Sequence, residues 1–328
     1  MTYGSGAGSA RFDVIIIGGG IAGLTAATVL GRARRRVCVI DAGRPRNAPA
    51  DHVHGFPSRD GVPPRELLRL CRVDLERYDV DIIDAEATAL TPDRRVELAD
   101  GRVLHGQHVV VATGLRDVPP EIAGAPERWG RDLLQCPYCH GWEVADRPLA
   151  VLASGPASVQ QAFLVRTFSD EVTLICGKDM ELTDDDARAL AAMGITVVHG
   201  TAAELQVRDD AVAAVVLADG RRVPCRAVFC EPGAAVDPLL ADVPGLRRDT
   251  DGCLEADDAG RTGAHRIWAV GNVTDPSSQV VAAAGDAYRL AVALNAELLQ
   301  EDVAAAVRTA GAEARPQFSA GEPAAANL

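Results

Sequence analysis

The feature that most constrains this chain is a nearly continuous run of apolar, largely β-branched residues at 12–17 that leads straight into a G-x-G-x-x-G pattern. Such a run is typical of a parallel strand covered on both faces. An alanine-rich helix at 24–30 and an apolar strand at 37–40 follow, so the chain opens with a β-α-β unit. This unit predicts a dinucleotide site, with glycines for the tight turn, the approach of a pyrophosphate and helix packing, and a carboxylate for a ribose. These residues are Gly18, Gly20, Gly23 and Asp41.

A cysteine pair with two intervening residues, Cys136 and Cys139, is followed at once by His140. This spacing lets both sulfurs meet in a small loop and typically lowers the pKa of one thiol, so the pair predicts thiol–disulfide exchange. Half of a zinc site is the alternative, but no second C-x-x-C occurs among the eight cysteines, and we expect no metal. His140 is a candidate proton acceptor beside the pair, or a histidine satisfied at a helix start.

Two later strands also end in small-residue turns. The strand at 108–111 runs into Ala112, Thr113 and Gly114, and the strand at 266–270 runs into Gly271 and Asn272. An alanine-rich helix at 279–300 then begins with Gln279, and its N-terminus could point its dipole at a bound ring system. The long loop at 42–61 carries two histidines, at 52 and 54, which are either functional or simply solvated.

Length and charge limit the class of protein. A chain of 328 residues favours two domains, each with its own core. A net charge of −13 argues against a nucleic-acid partner. No apolar stretch is long enough to cross a bilayer and no signal sequence is recognisable, so a soluble, cytoplasmic protein without a membrane partner is expected. The remaining cysteines lie mostly in apolar segments and are interpreted as buried thiols.

A second strand-turn-helix at 148–158 resembles the first, but in a weakened form. It lacks the first glycine of the pattern and contains Pro156, so its backbone has fewer amides to offer a pyrophosphate. The next strand, 172–176, is followed by Lys178 and by no arginine. A single lysine is a weak substitute for arginines that bind a phosphate through two hydrogen bonds.

Over residues 11–300, the order of these motifs resembles that of the low-molecular-weight thioredoxin reductases. The resemblance implies an α/β fold of two Rossmann-like nucleotide-binding domains, the second inserted into the first, and a homodimer. It places an FAD domain at 11–122 and 246–304 and an NADPH-type domain with the cysteines at 123–245. The Gly/Ser-rich start and the Ala-, Gly- and Pro-rich end predict flexible segments at 1–10 and 305–328. FAD would contact Gly18, Gly20, Gly23, Asp41, Ala112, Thr113, Gly114, Gly271, Asn272 and Gln279. Cys139 would lie next to the flavin, and Cys136 would exchange with substrate.

Three features depart from the reductases: His140 replaces an aspartate, the second turn is weakened, and an arginine pair is absent. The motif around Cys136, Cys139 and His140 is instead similar to the thioredoxin-reductase-like dithiol oxidases of secondary metabolism, which close disulfides in compounds such as holomycin and gliotoxin. This resemblance implies oxidation of a small-molecule dithiol, with dioxygen reduced to hydrogen peroxide. An NADPH-dependent thioredoxin reductase and a flavin redox sensor without turnover are the alternatives. His52, His54 and Glu143 are candidate helpers near the pair.

Overall fold

The computed structural model describes residues 11–178, 180–235, 238–240 and 243–313. Its first part is built around apolar strands and alternates them with helices. The elements up to residue 118 are β1 (Arg11–Ile17), α1 (Ile21–Arg32), β2 (Val37–Asp41), α2 (Pro64–Leu75), β3 (Asp81–Asp84), β4 (Ala87–Leu90), β5 (Arg95–Leu98), β6 (Val103–Val111) and β7 (Arg116–Val118).

The second part continues this alternation and ends in one long helix. Short 3-10 turns cover Pro238–Leu240 and Gly271–Val273. The elements are α3 (Ala125–Arg128), β8 (Leu133–Leu134), α4 (Pro137–His140), β9 (Leu149–Ala153), α5 (Ala157–Arg166), β10 (Val172–Cys176), α6 (Asp184–Ala192), β11 (Thr196–His199), β12 (Ala202–Arg208), β13 (Ala211–Leu217), β14 (Arg222–Pro224), β15 (Ala227–Cys230), β16 (Gly233–Ala235), β17 (Ile267–Ala269) and α7 (Val280–Glu313).

The first sheet combines strands from both ends of the described chain. Its order is β3-β2-β1-β6-β5-β4, and β17 pairs in parallel with β6. The β-branched residues of β1 and β2 are buried, as both faces of a covered parallel strand require. Helices α1 and α7 pack on one face through apolar side chains such as Leu24, Leu30, Leu290 and Leu294. This packing brings the N-termini of α1 and α7 to the same sheet.

The second sheet is parallel, with the order β11-β10-β9-β15-β8. An antiparallel sheet, β12-β13-β14, packs on it through a separate apolar cluster that includes Leu205, Val215 and Val228. Strand β16 pairs with β7. This pairing joins the segment that follows the second sheet to the segment that follows the first sheet. The α/β class with two nucleotide-type sheets is therefore confirmed, while the domain boundaries at 122/123 and 245/246 stay predictions.

One segment differs from the sequence-based expectation. Helix α7 runs to Glu313, so residues 305–313 are helical and do not form the flexible tail expected from 305. An alanine-rich sequence has high intrinsic helix propensity, and here it continues an already formed helix, so no new nucleation is needed. The rest of the expected flexible segments, 1–10 and 314–328, lies outside the described residues. Among the described helices, none has both the length and the apolar character needed to span a bilayer.

Candidate active site: a disulfide facing a dinucleotide cradle

The cysteine pair is joined as a disulfide within a single helical turn. Cys136 caps α4, and the amide of Cys139 donates to its Sγ at 3.1 Å. Pro137 occupies the first helical position, where its missing N–H has no helical partner to lose. Gly141 caps the end of the turn, and a side chain is excluded there because a Cβ would lie 2.6 Å from the Pro137 carbonyl oxygen. The sequence C-P-x-C-H-G therefore builds a compact loop that presents both sulfurs together.

Gln279 contacts both sulfurs from the opposite end of the sequence. Its Oε1 lies 3.1 Å from Cys139 Sγ, and its Nε2 lies 3.5 Å from Cys136 Sγ. The residue stands immediately before α7, and its carbonyl accepts the Ala283 amide of the first turn. The structure thus brings together the disulfide and the helix start where the family resemblance places the flavin.

The glycine turn of the first sheet is packed tightly on one side and open on the other. Gly18 has a φ of 115°, and a Cβ there would overlap the Ala112 carbonyl. A Cβ at Gly23 would overlap the Gly18 carbonyl. Nothing lies within 4 Å of the position that a Cβ would take at Gly20. Gly18 and Gly23 are therefore required by the fold itself, whereas Gly20 keeps an open space in front of the backbone.

This open space has the donors that a dinucleotide phosphate needs. The N-terminus of α1 has no side-chain cap and no acidic residue in its first turn. Within the described residues, the Thr113 hydroxyl is buried without a hydrogen-bond partner. Gly114 and Gly271 adopt left-handed φ values of 70° and 82° beside it, and Gly271 lies against Ala22 of α1. Free amides at a helix N-terminus and an unpartnered hydroxyl fit the pyrophosphate and ribityl groups of FAD.

Two predicted cofactor residues have protein partners already. The Asp41 carboxylate pairs with Arg72 of α2, and its other oxygen accepts the Gly43 amide at 2.9 Å. The Asn272 side-chain amide donates to the carbonyls of Asp275 and Ser278, at 3.0 and 2.9 Å. Asn272 therefore shapes the loop that leads to Gln279. The Arg72 contact could not be predicted from the sequence, since neither local spacing nor charge pattern links the end of β2 to α2.

His140 is half-buried, and its surroundings set its protonation. Burial lowers the pKa of its imidazole, Glu143 and Asp51 raise it, and His54 lowers it. The net direction is downward, so the ring is neutral at neutral pH and can accept a proton. The pKa falls because burial disfavours the charged form of the ring.

The 42–61 loop packs against the cysteine turn through His54. Its Nε2 lies 3.3 Å from Glu143 Oε1, and its Nδ1 lies 3.3 Å from Asp60 Oδ2. An imidazole with a carboxylate at each nitrogen can donate to both only when it is protonated. His52 is exposed, with its ring centroid 6.1 Å from that of His54. The contact between His54 and Glu143 joins two candidates that the sequence offered separately.

The second strand-turn-helix uses its own groups to satisfy its backbone. The Ser154 amide donates to the buried Ser158 hydroxyl at 3.0 Å, and the Ser158 amide donates to the Gly155 carbonyl at 3.0 Å. Pro156 caps α5 and contributes no N–H. The turn thus offers fewer free donors to a phosphate than the turn before α1 does.

The other titratable clusters are structural. Burial raises the pKa of Cys38, Cys225 and Cys230 to about 12, which keeps these thiols inert. His108 lies near Glu297 and Glu301, but its Nδ1 accepts the Trp268 indole N–H at 3.2 Å. The neutral ring therefore carries its proton on Nε2, which cannot then ligate a metal.

Comparison with known proteins agrees with this geometry. Residues 12–287 match the pyridine nucleotide-disulphide oxidoreductase family. The solved structure of HlmI has 46% identity and a TM-score of 0.87, covering 93% of this chain and 98% of that one. Thioredoxin reductase sirT of Leptosphaeria maculans is 28% identical over 90% of this chain and 96% of its own length. Thioredoxin reductase tcpT of Claviceps purpurea is 38% identical over 44% of this chain and 47% of its own.

The family match covers both sheets and the cysteine turn, and the similarities to HlmI and sirT cover most of the chain, whereas that to tcpT covers less than half of it. They confirm the fold type and the resemblance to the thioredoxin-reductase-like enzymes that was inferred from the motifs. The chain belongs to the pyridine nucleotide-disulphide oxidoreductase family.

Proposed function

We propose that this oxidoreductase binds FAD and oxidises a small-molecule dithiol to an intramolecular disulfide through the Cys136–Cys139 pair. The pair forms a disulfide, which is the oxidised form that a dithiol would reduce in such a reaction. The open space at Gly20 and the unpartnered Thr113 hydroxyl support FAD as the cofactor. Relatedness to HlmI and to fungal sirT supports a place among enzymes of this thioredoxin-reductase-like group.

The first half of the reaction uses only residues of this chain. One substrate thiolate attacks Cys136 Sγ, which breaks the bond to Cys139 and forms a mixed disulfide. The second substrate thiol then attacks the substrate sulfur of that mixed disulfide, releasing the cyclic product and the Cys136 thiolate. Neutral His140 takes up the proton of an incoming thiol. The exposed rings of Tyr138 and Trp142 lie beside the pair and suit an organic substrate.

The second half restores the disulfide. FAD, held at the turn before α1, would supply the redox chemistry that carries the two electrons of the reduced pair to dioxygen, which becomes hydrogen peroxide with the two protons released by the dithiol. The sum, dithiol plus dioxygen giving disulfide plus hydrogen peroxide, balances in atoms and electrons. Gln279, in contact with both sulfurs, is placed to orient the pair for this transfer.

The observation that carries this direction of electron flow is the second turn. With Ser158 occupying the Ser154 amide, Pro156 lacking an N–H and no arginine after β10, the site where a reductase would take electrons from NADPH has few phosphate donors. An enzyme with poor access to NADPH but with an intact disulfide and an FAD cradle is suited to take its electrons from thiols.

The test is to measure both half-reactions on the purified holoenzyme. We expect dithiothreitol in air to give steady oxygen uptake and hydrogen peroxide, and NADPH under anaerobic conditions to leave the flavin oxidised. Rapid, stoichiometric bleaching by micromolar NADPH would refute the oxidase and establish the reverse flow. The absence of oxygen uptake with any dithiol, together with stable flavin, would favour a sensor without turnover.

An NADPH-dependent thioredoxin reductase remains the second candidate because the fungal relatives sirT and tcpT carry the name thioredoxin reductase. Such a reductase would have the same fold and cysteine pair, but electrons would flow in the opposite direction, from NADPH to a disulfide substrate. Bleaching by NADPH, followed by reduction of a protein disulfide, would support it. As in the reductase family, we expect a homodimer in either case, which sedimentation velocity measures directly.

A further inference from the structure

The 42–61 loop contains a guanidinium that touches three separate parts of the candidate site. Arg46 lies in this loop, shortly after the end of β2, and only 16% of its side chain is exposed. It is not one of the residues that the sequence motifs single out. Its partners come from β7, from the segment just before the cysteine turn, and from the loop that precedes α7.

The guanidinium donates to three partners. Nε and Nη2 donate to the Asp117 carboxylate at 3.1 and 2.8 Å. Nη1 donates to the Pro276 carbonyl at 2.6 Å, and Nη2 also donates to Gln135 Oε1 at 3.0 Å. Asp117 is almost fully buried, with 9% of its side chain exposed. Its charge is therefore balanced by Arg46 inside the protein, where an unpaired carboxylate would be strongly unfavourable.

The two remaining partners lie directly beside the reacting groups. Gln135 precedes Cys136 in the chain, and Pro276 lies three residues before Gln279, in the loop that Asn272 also shapes. Gln279 in turn contacts both sulfurs. Arg46 thus contacts both sides of the interface across which the disulfide faces the start of α7.

We propose that Arg46 is a positioning residue that sets the Cys136–Cys139 pair against Gln279. The role rests on the proposed function, since it matters for electron transfer from the pair toward the flavin. Three properties of arginine are needed together: a permanent charge for Asp117, a planar fork for two oxygens of one carboxylate, and further N–H groups in fixed directions. A lysine at this position keeps the charge but cannot maintain all three contacts.

Among the described residues, the other polar contacts between the two sides are those of Gln279 with the sulfurs, at 3.1 and 3.5 Å. The contact between His54 and Glu143 joins the 42–61 loop to the cysteine side, but it does not reach the 275–279 loop. Removal of Arg46 therefore leaves the cysteine turn and the 275–279 loop free to shift relative to each other. A shift of about 1 Å is enough to slow a positioned reaction about 100-fold.

The test separates reduction of the disulfide from the onward transfer of its electrons. Holoenzyme carrying Arg46→Ala, Arg46→Lys or Gln135→Ala is mixed anaerobically with dithiothreitol. Alkylation and mass measurement follow the opening of the disulfide, and absorbance follows the flavin. Gln135→Ala removes only one hydrogen bond of Arg46 and leaves the ion pair between Arg46 and Asp117 intact, so it is informative even if Arg46→Ala does not fold. Arg69→Ala, which breaks an exposed pair with Glu66 on α2, is the matched control.

We expect the disulfide to open at the wild-type rate in all variants, because attack on Cys136 needs no contact with Gln279. Flavin reduction is expected to slow about 10- to 100-fold in Arg46→Ala, less in Arg46→Lys and Gln135→Ala, and not at all in Arg69→Ala. Unchanged flavin reduction in the Arg46 variants, or equal slowing of both steps in Gln135→Ala with loss of FAD, would overturn the positioning role.

Amide hydrogen exchange supplies a readout that is independent of turnover. In Arg46→Ala and Gln135→Ala, we expect faster exchange at residues 133–141 and 275–283, and unchanged exchange in α5 and α6. If dithiothreitol fails to bleach even the wild-type flavin, the proposed function is wrong, and exchange alone decides whether Arg46 holds the two segments. Unchanged exchange in both segments would then refute the positioning role.

Discussion

Substitution by alanine should have different effects at two glycines of the first turn, lowering stability at Gly18 and mainly FAD affinity at Gly20. Gly18 has a φ of 115°, and a Cβ there would overlap the Ala112 carbonyl. The backbone strain costs roughly 1–3 kcal/mol, and the forced shift of packed atoms adds roughly 1–3 kcal/mol. Gly18→Ala should therefore lower the free energy of unfolding of the apoprotein by about 2–6 kcal/mol, with loss of FAD as a consequence.

Gly20→Ala should damage FAD binding and leave the fold almost intact. Gly20 has an ordinary φ of −72°, and no atom lies within 4 Å of its Cβ position. The stability cost is that of alanine at a helix N-cap, about 1 kcal/mol or less. The new methyl group occupies the space in front of the α1 amides, and loss of one charge-assisted hydrogen bond costs roughly 1.5–3 kcal/mol. That cost corresponds to a drop in FAD affinity of about 10- to 150-fold.

The assay is thermal unfolding of the apoproteins by circular dichroism, combined with titration of FAD by its fluorescence. Gly155→Ala is the matched control, since Gly155 also has open space around its Cβ position but lies in the second turn. It should change neither quantity. If Gly20→Ala binds FAD as tightly as the wild type while remaining folded, the cradle before α1 does not hold the pyrophosphate. If Gly18→Ala is as stable as Gly20→Ala, the packing of the turn on Ala112 has been misjudged.

Three further outcomes follow from the site. His140→Ala should slow dithiol oxidation by about 100-fold or more near neutral pH, and this loss of rate should shrink toward pH ~8.5, where thiols ionise unaided. Because burial lowers the pKa of His140, the wild-type rate should fall only as the pH drops below the ordinary imidazole value of about 6.5. A loss of rate that is independent of pH would mean that His140 is structural. In the reduced, folded protein, iodoacetamide should label Cys136 and Cys139 rapidly and the six other cysteines slowly, as followed by mass spectrometry. Rapid labelling of the buried thiols would contradict their raised pKa values. Asp132→Asn should destabilise the protein by about 1–3 kcal/mol in chemical denaturation, since Arg128 is 5% exposed and would keep only the exposed Asp210 as a charged partner. Asp185→Asn, in an exposed pair on α6, is the control and should change stability by less than about 1 kcal/mol.

Local sequence was informative wherever short-range geometry limits the choice of residue. The β-branched run of β1, the glycines before α1 and the proline at the start of α4 each act within a few residues, so their elements could be predicted. Strand β12 cannot be predicted in this way, because its side chains are mostly exposed and show no clear alternation, and it is held by pairing with β13. The extension of α7 to Glu313 was missed because the same alanine-rich composition is compatible with a flexible tail.

The sequence by itself determined the chemical inventory: a disulfide-forming pair with a histidine, a glycine turn that can accept a dinucleotide, and a second turn with fewer amides to offer. Tertiary structure alone decided how this inventory is arranged. Gln279 meets Cys136 and Cys139, and Arg46 links both sides of that contact. Such contacts depend on how helices and sheets pack, because side chains far apart in sequence meet only after both sheets have formed. No local spacing encodes that meeting.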